Sequence, residues 1–263
     1  MAAILERRVT RAAAWARRSG VFSAMLFVTA GLAHRYGLLE TPAFLVVLGL
    51  VALCAAAALI FATHAFSRLW KHGDLGGWDL SVGALVALLV LTPFLLSAYR
   101  AATYPMLSDI STDTEDPPSL ALGARSRGPG MNTVRNPTLA EAAMQAEAYP
   151  NVTGRRYEWP FDRTIEAVDA VLGRQGWTVR PAGLLATAAG ETTIEAEAYT
   201  LIFAFPADVA IRVTDEGNST YVDMRSASRY GRHDLGDNAA RINAFLTELD
   251  AEVSGLAGTV PVE

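Results

Sequence analysis

The apolar positions of this chain follow two rules. Up to about residue 100 they form unbroken runs; beyond it they fall at the spacings of amphipathic helices and strands. The first run covers residues 20–33 and ends at His34 and Arg35. The second, 44–66, holds no charge, and neither does the third, between Asp79 and Arg100. At 1.5 Å per residue the second and third can cross a hydrocarbon core about 30 Å thick. The first needs residues 12–15 or 36–39 to complete a span. It also has a signal peptide's Arg-rich front, short apolar core and candidate cleavage site at Gly31-Leu32-Ala33. Two further spans close behind favour an uncleaved helix, so residues 1–100 are expected as an anchor of three transmembrane helices.

After the third run the pattern changes. Asp109-Ile-Ser-Thr-Asp-Thr-Glu-Asp-Pro-Pro118 carries four acids, no base and two prolines, so it is extended rather than helical. Its spacing does not fit a calcium loop. Residues 119–135, rich in Gly, Arg and Ser, read as irregular. Asn136-Pro137 then predicts a short helix with Asn as cap, ending before Tyr149-Pro150. The whole stretch 101–156 is expected as an extended acidic linker and irregular segment.

From residue 157 the periodicity is that of a compact domain, expected over 157–253. Ile165, Val168, Val171 and Leu172 make the stripe of a helix over 161–175, ended by Gly176. Residues 177–180 predict a short strand. Ile194, Ala196 and Ala198 alternate with Glu195, Glu197 and Tyr199; Val209, Ile211 and Val213 with Ala210 and Arg212; Val222 and Met224 with Tyr221, Asp223 and Arg225. A last helix is expected over 235–249, with Leu235, Ala239, Ile242, Leu246 and Leu249 inward. The fold class is therefore α+β: about four antiparallel strands flanked by helices in two layers, behind the membrane helices.

Charge divides along the same line. Residues 1–100 carry nine Lys/Arg against four Asp/Glu; residues 101–263 carry thirteen against twenty-three. An acidic second half argues against nucleic acid as a partner. Arg7, Arg8, Arg11, Arg17 and Arg18 precede the first run, and Arg68 and Lys71 lie between the second and third. The positive-inside rule makes both segments cytoplasmic and puts the C-terminal domain outside the cytoplasm, with Arg100 the residue that pulls the other way. His34 and His64 invite a haem, but that topology sets them at opposite ends of their helices. Cys54 stands alone in an apolar run, so neither a disulfide framework nor a thiolate metal site is expected; no cofactor is expected. Gly49, Ala52 and residues 55–58 are small enough for close helix packing, which fits association with other membrane subunits.

The candidate chemistry lies in residues 222–242, VDMRSASRYGRHDLGDNAARI, with four arginines, three aspartates and a histidine. No GxSxG, HExxH or Walker motif accompanies it. His233 is the soluble half's only histidine, so His-based acid–base chemistry would depend on it. Two readings remain open. Arg225, Arg229, Arg232 and His233 could hold an anion or a partner, a lipid headgroup being the natural ligand near a membrane. Alternatively, Asp208, Arg212, Asp223 and Asp234 form a structural latch. The turn at 215–218 permits two registers, pairing Arg212 with Tyr221 and Asp208 with Arg225, or Arg212 with Asp223 and Ala210 with Arg225. Either sets opposite charges side by side. Asp234 is expected to cap the last helix.

Pro105, Asp109-Ile-Ser-Thr-Asp113, Asp116-Pro-Pro118, Tyr149-Pro150, Gly176-Trp177, Ile194-Glu195-Ala196, Ile211-Arg212-Val213 and above all Asp223-Met-Arg225-Ser226-Ala-Ser228-Arg229 with Gly231-Arg232-His233-Asp234-Leu-Gly236-Asp-Asn238 resemble the bacterial family catalogued as domain of unknown function 1499, over about 105–250. In Phe205-Pro206-Ala207-Asp208 this chain departs from the family's frequent acid pair. The resemblance implies no established activity; some distant eukaryotic relatives look like accessory subunits of respiratory complex I. The expectation is a multi-pass bacterial inner-membrane protein, non-enzymatic, acting as an accessory or assembly component beside a larger membrane complex. The alternative is a binder of a lipid headgroup or other anionic small molecule.

Overall fold

The computed structural model describes residues 8–181 and 190–257. Two compact units divide the chain, Met1–Tyr99 and Arg100–Glu263.

The first unit is built on three helices: α1 (Arg11–Arg35), α2 (Thr41–His72) and α3 (Gly77–Thr103). Two of them, α2 and α3, are long and apolar enough to cross a membrane, at about 48 and 40 Å. The expected third span is not among them. Between Arg18 and His34 the uncharged stretch of α1 reaches only about 22 Å, short of a hydrocarbon core of about 30 Å. Instead α1 packs on the others: Ala24, Leu26 and Phe27 join Val51, Ala55 and Ala58 of α2 and Ala87 and Val90 of α3. Glycine sets the closest approach, since a Cβ on Gly20 would lie 2.7 Å from the Gly83 carbonyl oxygen. Gly49, expected at a helix contact, has nothing within reach of a Cβ. Pro93 lies inside α3, where Ser97 Oγ donates to its carbonyl at 2.8 Å. His34 bonds Thr41 Oγ1 at 2.9 Å and stacks on Phe44.

The second unit is α+β, around one six-stranded antiparallel sheet. Its strands are β1 (Asp109–Ser111), β2 (Arg155–Tyr157), β3 (Thr178–Val179), β4 (Glu191–Tyr199), β5 (Pro206–Asp215) and β6 (Thr220–Ser228). The order is β1-β6-β5-β4-β3, and β2 shares the outer edge of β6 with β1. About four strands were expected; β1 and β2, three residues each, are too short to show a period. The stretch 101–156 is therefore part of this unit rather than a linker. Besides β1 and β2 it carries α4 (Ala121–Ser126) and α5 (Leu139–Ala148). Thr138, not Asn136, caps α5, in a capping box with Glu141.

α6 (Phe161–Gln175) and α7 (Asp237–Ala257) cover one sheet face. Val168, Val171 and Leu172 of α6 and Ile242, Phe245, Leu246 and Leu249 of α7 meet Val209, Ile211, Val213, Val222 and Met224 in one core. Gly176 ends α6 in the left-handed conformation, φ 64°. α7 starts two residues later than the stripe predicts, because Leu235 and Gly236 have φ of 57° and 81° and belong to the turn before it. The β5–β6 turn is centred on Gly217, φ 88°. That turn selects the register with Arg212 opposite Asp223 and Ala210 opposite Arg225, the second of the two expected.

Candidate functional site

Strand alternation puts Asp208, Ala210 and Arg212 of β5, Asp223, Arg225 and Ala227 of β6, and Glu195 and Glu197 of β4 on the face away from α6 and α7. This face is covered too. Residues 113–135 run across it, and Leu120 and Val134 pack on Ala210 and Ala227. α4 lies so close that a Cβ on Gly123 would be 3.0 Å from Asp208 Cγ. Glu195 accepts from the amides of Leu122 and Gly123 at 2.9 and 2.7 Å, closing the N-terminal end of α4.

Asp208 is the hub of this layer. Its side chain, 1% exposed, accepts from Arg127 Nε at 2.8 Å, Arg180 Nη2 at 3.0 Å and Arg229 Nη2 at 2.7 Å. Arg229 also reaches Glu197 at 2.8 Å, which accepts from the Tyr199 hydroxyl at 2.6 Å. Burial works to raise both carboxyls. The hydrogen bonds of Arg229 overcome it, aided by Arg127 at Asp208 and by Tyr199 at Glu197, and hold both below the ordinary carboxylate range. Burial likewise opposes charge on Arg229, but Asp208 and Glu197 keep its pKa above the ordinary value. These are charge-assisted bonds in a dry layer, where each group depends on the others.

Two further knots lie alongside. Arg212 forks onto Asp223 at 3.1 and 2.8 Å and reaches Asp116 Oδ2 and its carbonyl, both at 2.8 Å. Arg225, 3% exposed, forks onto Asp109 at 2.9 and 2.8 Å and donates to the carbonyls of Pro118 and Arg135. The acidic stretch expected to be an extended linker thus supplies the counter-charges of two strand arginines.

The expected anion set is not brought together. Arg225 is held by Asp109 and Arg229 by Asp208, while Arg232 is exposed. His233 serves the turn: its Nδ1 accepts from the Leu235 amide at 2.9 Å, which leaves Nε2 to donate to the carbonyls of Ala101 and Tyr104, each at 3.2 Å. Asp234 accepts from the amides of Gly236 and Asn238, both at 2.9 Å, and so ties down the start of α7. Burial pushes its carboxyl up, against the pull of those two amides. Within the latch set, Arg212 and Asp223 pair directly, whereas Asp208 and Asp234 bond other residues. Sequence reasoning missed Arg127, Arg180, Glu197, Asp109 and Asp116. The alternation of Glu195 and Glu197 with apolar residues was the available signal, since it put two acids on the face of Arg212 and Arg225.

A search of curated proteins finds no match for this chain. The family model described as protein of unknown function (DUF1499) matches residues 109–249, from the start of β1 into α7. That span takes in the hub, both side knots and the turn before α7, and the chain belongs to this family.

Proposed function

We propose that this protein is a membrane-anchored, non-enzymatic accessory or assembly component of the bacterial inner membrane, working beside a larger membrane complex, with a respiratory complex as the candidate. The observation that carries the reading is a contrast in what each unit offers a partner. On α2 and α3 large apolar side chains point outward, with Leu53, Ile60, Leu89 and Leu95 between 64% and 69% exposed, as lipid- or subunit-facing positions require. In the C-terminal unit Asp208 and Arg229 are turned onto each other, Asp223 onto Arg212 and Arg225 onto Asp109. Leu201 and Ile202, 85% and 69% exposed, add an apolar tip between β4 and β5 of the kind that marks docking surfaces.

The orientation proposed has the C-terminal unit outside the cytoplasm, which takes three crossings, so in it α1 passes through the bilayer packed against α2 and α3 although its uncharged stretch alone is shorter than the core. The support for this orientation is that the Thr10 amide donates to the Leu75 carbonyl at 3.0 Å and the Leu75 amide to the Arg8 carbonyl at 2.8 Å. The basic residues around the start of α1 and those in the last turns of α2, Arg68 and Lys71, therefore share one end, which the positive-inside rule makes cytoplasmic. A phosphatase that works only outside the cytoplasm, fused after Glu263, should be active; activity of a cytoplasmic reporter alone would invert the topology. Pull-down of the C-terminally tagged chain from mild detergent tests the function, and stoichiometric membrane subunits are expected. A chain recovered alone with bound anion would favour binding at Arg225, Arg229 and Arg232, for which the anion must displace Asp109 and Asp208.

A further inference from the structure

One cavity in the first unit has a composition that neither packing nor anchoring accounts for. Where the chain entering α1 crosses the last turns of α2, a crevice of about 350 Å³ is lined by Arg8, Thr10, Arg11, His64, Arg68 and Asp74 among others. Three arginines face one carboxylate. That carboxylate is committed: Asp74 Oδ2 accepts from Arg68 Nε at 2.8 Å, and its side chain is only 8% exposed. The pair orients the Arg68 guanidinium. The side chains of Arg8, Arg11 and His64 make no hydrogen bond or ion pair among the described residues. The crevice is also held in shape, because the two hydrogen bonds between residues 8–10 and Leu75 pin its rim. Thr10, the residue before α1, makes no side-chain cap bond, so amides of the first turn of α1 stay open toward an anion.

A separate observation fixes what lies outside. Trp15, Trp70 and Trp78, in the early turns of α1, the end of α2 and the start of α3, are 51%, 80% and 74% exposed. Arg17 joins Asp79 at 2.9 Å, so the start of α3 belongs to the same end. Exposed tryptophans beside arginines mark the headgroup zone of a bilayer. α2, at about 48 Å, outreaches a hydrocarbon core of about 30 Å, so its final turns emerge there.

We propose that this crevice binds the phosphate of an anionic phospholipid headgroup from the adjoining leaflet. Arg8 and Arg11 contact the phosphate directly, Arg68 presents its outer nitrogens from a fixed position, and Trp15 and Trp70 lie against the acyl–headgroup boundary. This rests on the reading of α2 and α3 as membrane spans.

The test is native mass spectrometry of the full chain in detergent, titrated separately with phosphatidylglycerol, phosphatidylcholine and sodium phosphate. The wild type should retain phosphatidylglycerol over phosphatidylcholine. Arg8→Gln/Arg11→Gln, which breaks no bond among the described residues, should keep the helix content and lose about tenfold in that preference, as expected when two charge-assisted phosphate contacts go. Equal retention of the two lipids by the wild type, or an unchanged preference in the variant, overturns the proposal. Displacement of the lipid by millimolar phosphate overturns it too, making the site one for free phosphate. Flotation with phosphatidylcholine vesicles separates the underlying reading: a chain that floats but shows no lipid preference sinks only this inference, and one that does not float sinks both.

Discussion

On one face of the sheet Val209, Ile211, Val222 and Met224 meet α6 and α7. One residue along each strand, Asp208, Arg212 and Arg225 meet the segment running from Asp109 to Arg135. Both faces are buried, and by opposite means. The helix-covered face gains from removing apolar area from water, which tolerates approximate fits. The charged face gains little on net, because desolvating each ion offsets most of the attraction it finds. Its worth lies in specificity: a guanidinium accepts only a carboxylate or carbonyl at the right place, so these pairs dictate where residues 109–135 cross the sheet. Adjacent faces of the same strands thus divide the labour between stability and register.

The largest effect expected follows from the hub. Asp208→Ala leaves Arg127, Arg180 and Arg229 buried around a missing charge and should cost about 3–5 kcal/mol, read as a fall in denaturation midpoint of the full chain in detergent. Met224→Ala, on the other face, sets the reference: a cavity costing about 2–4 kcal/mol. If the charged-face substitution is the milder of the two, the layer is not tightly packed and the comparison fails. Next comes the paired replacement. Arg212→Met and Asp223→Leu should each destabilise, while the double variant recovers about 1–3 kcal/mol relative to their sum. Strict additivity would mean that the fork between them does no work.

Much of the helix-covered face is legible in the sequence, because its signal is periodic. Val168, Val171 and Leu172 announce α6, and Ala196, Ala198, Val209 and Ile211 announce two strands. The charged face is not legible in the same way. Nothing local tells Asp109 that its partner is Arg225, or Asp116 that its partner is Arg212; an ion pair across the chain leaves no period. The acidic run 109–118 therefore reads as an extended linker, although Ile110 is fully buried and β1 pairs with β6. Arg127 sits in a Gly/Arg/Ser stretch with no period at all. The two registers of β5 and β6 were both visible, and only the turn at Gly217 chooses between them. Likewise the start of α7 moved because the apolar stripe continues through Leu235, whose positive φ no stripe encodes.

Acid sharpens the contrast further, with a smaller effect. Asp208 and Glu197 have folded pKa values below their ordinary ones, so they add stability above the unfolded carboxylate pKa values, about 4, and lose it as pH falls through the lowered folded values. Their contribution should hold down to about pH 4 and then fall by up to about 1.4 kcal/mol per pH unit for each proton these two groups take up. Glu197→Gln removes one such proton and should flatten that acid limb, read by circular dichroism against pH. Met224→Ala should lower the whole curve without changing that slope.

The arginines of this family motif are proposed to hold the domain together rather than hold a ligand. Arg229→Met is the variant to measure, by denaturant unfolding of the full chain alongside the detergent pull-down for the proposed membrane subunits. A loss of about 3–5 kcal/mol is expected, because Asp208 and Glu197 lose their shared guanidinium, with any folded fraction recovering the proposed membrane subunits as the wild type does. A variant as stable as the wild type that no longer recovers them would contradict it.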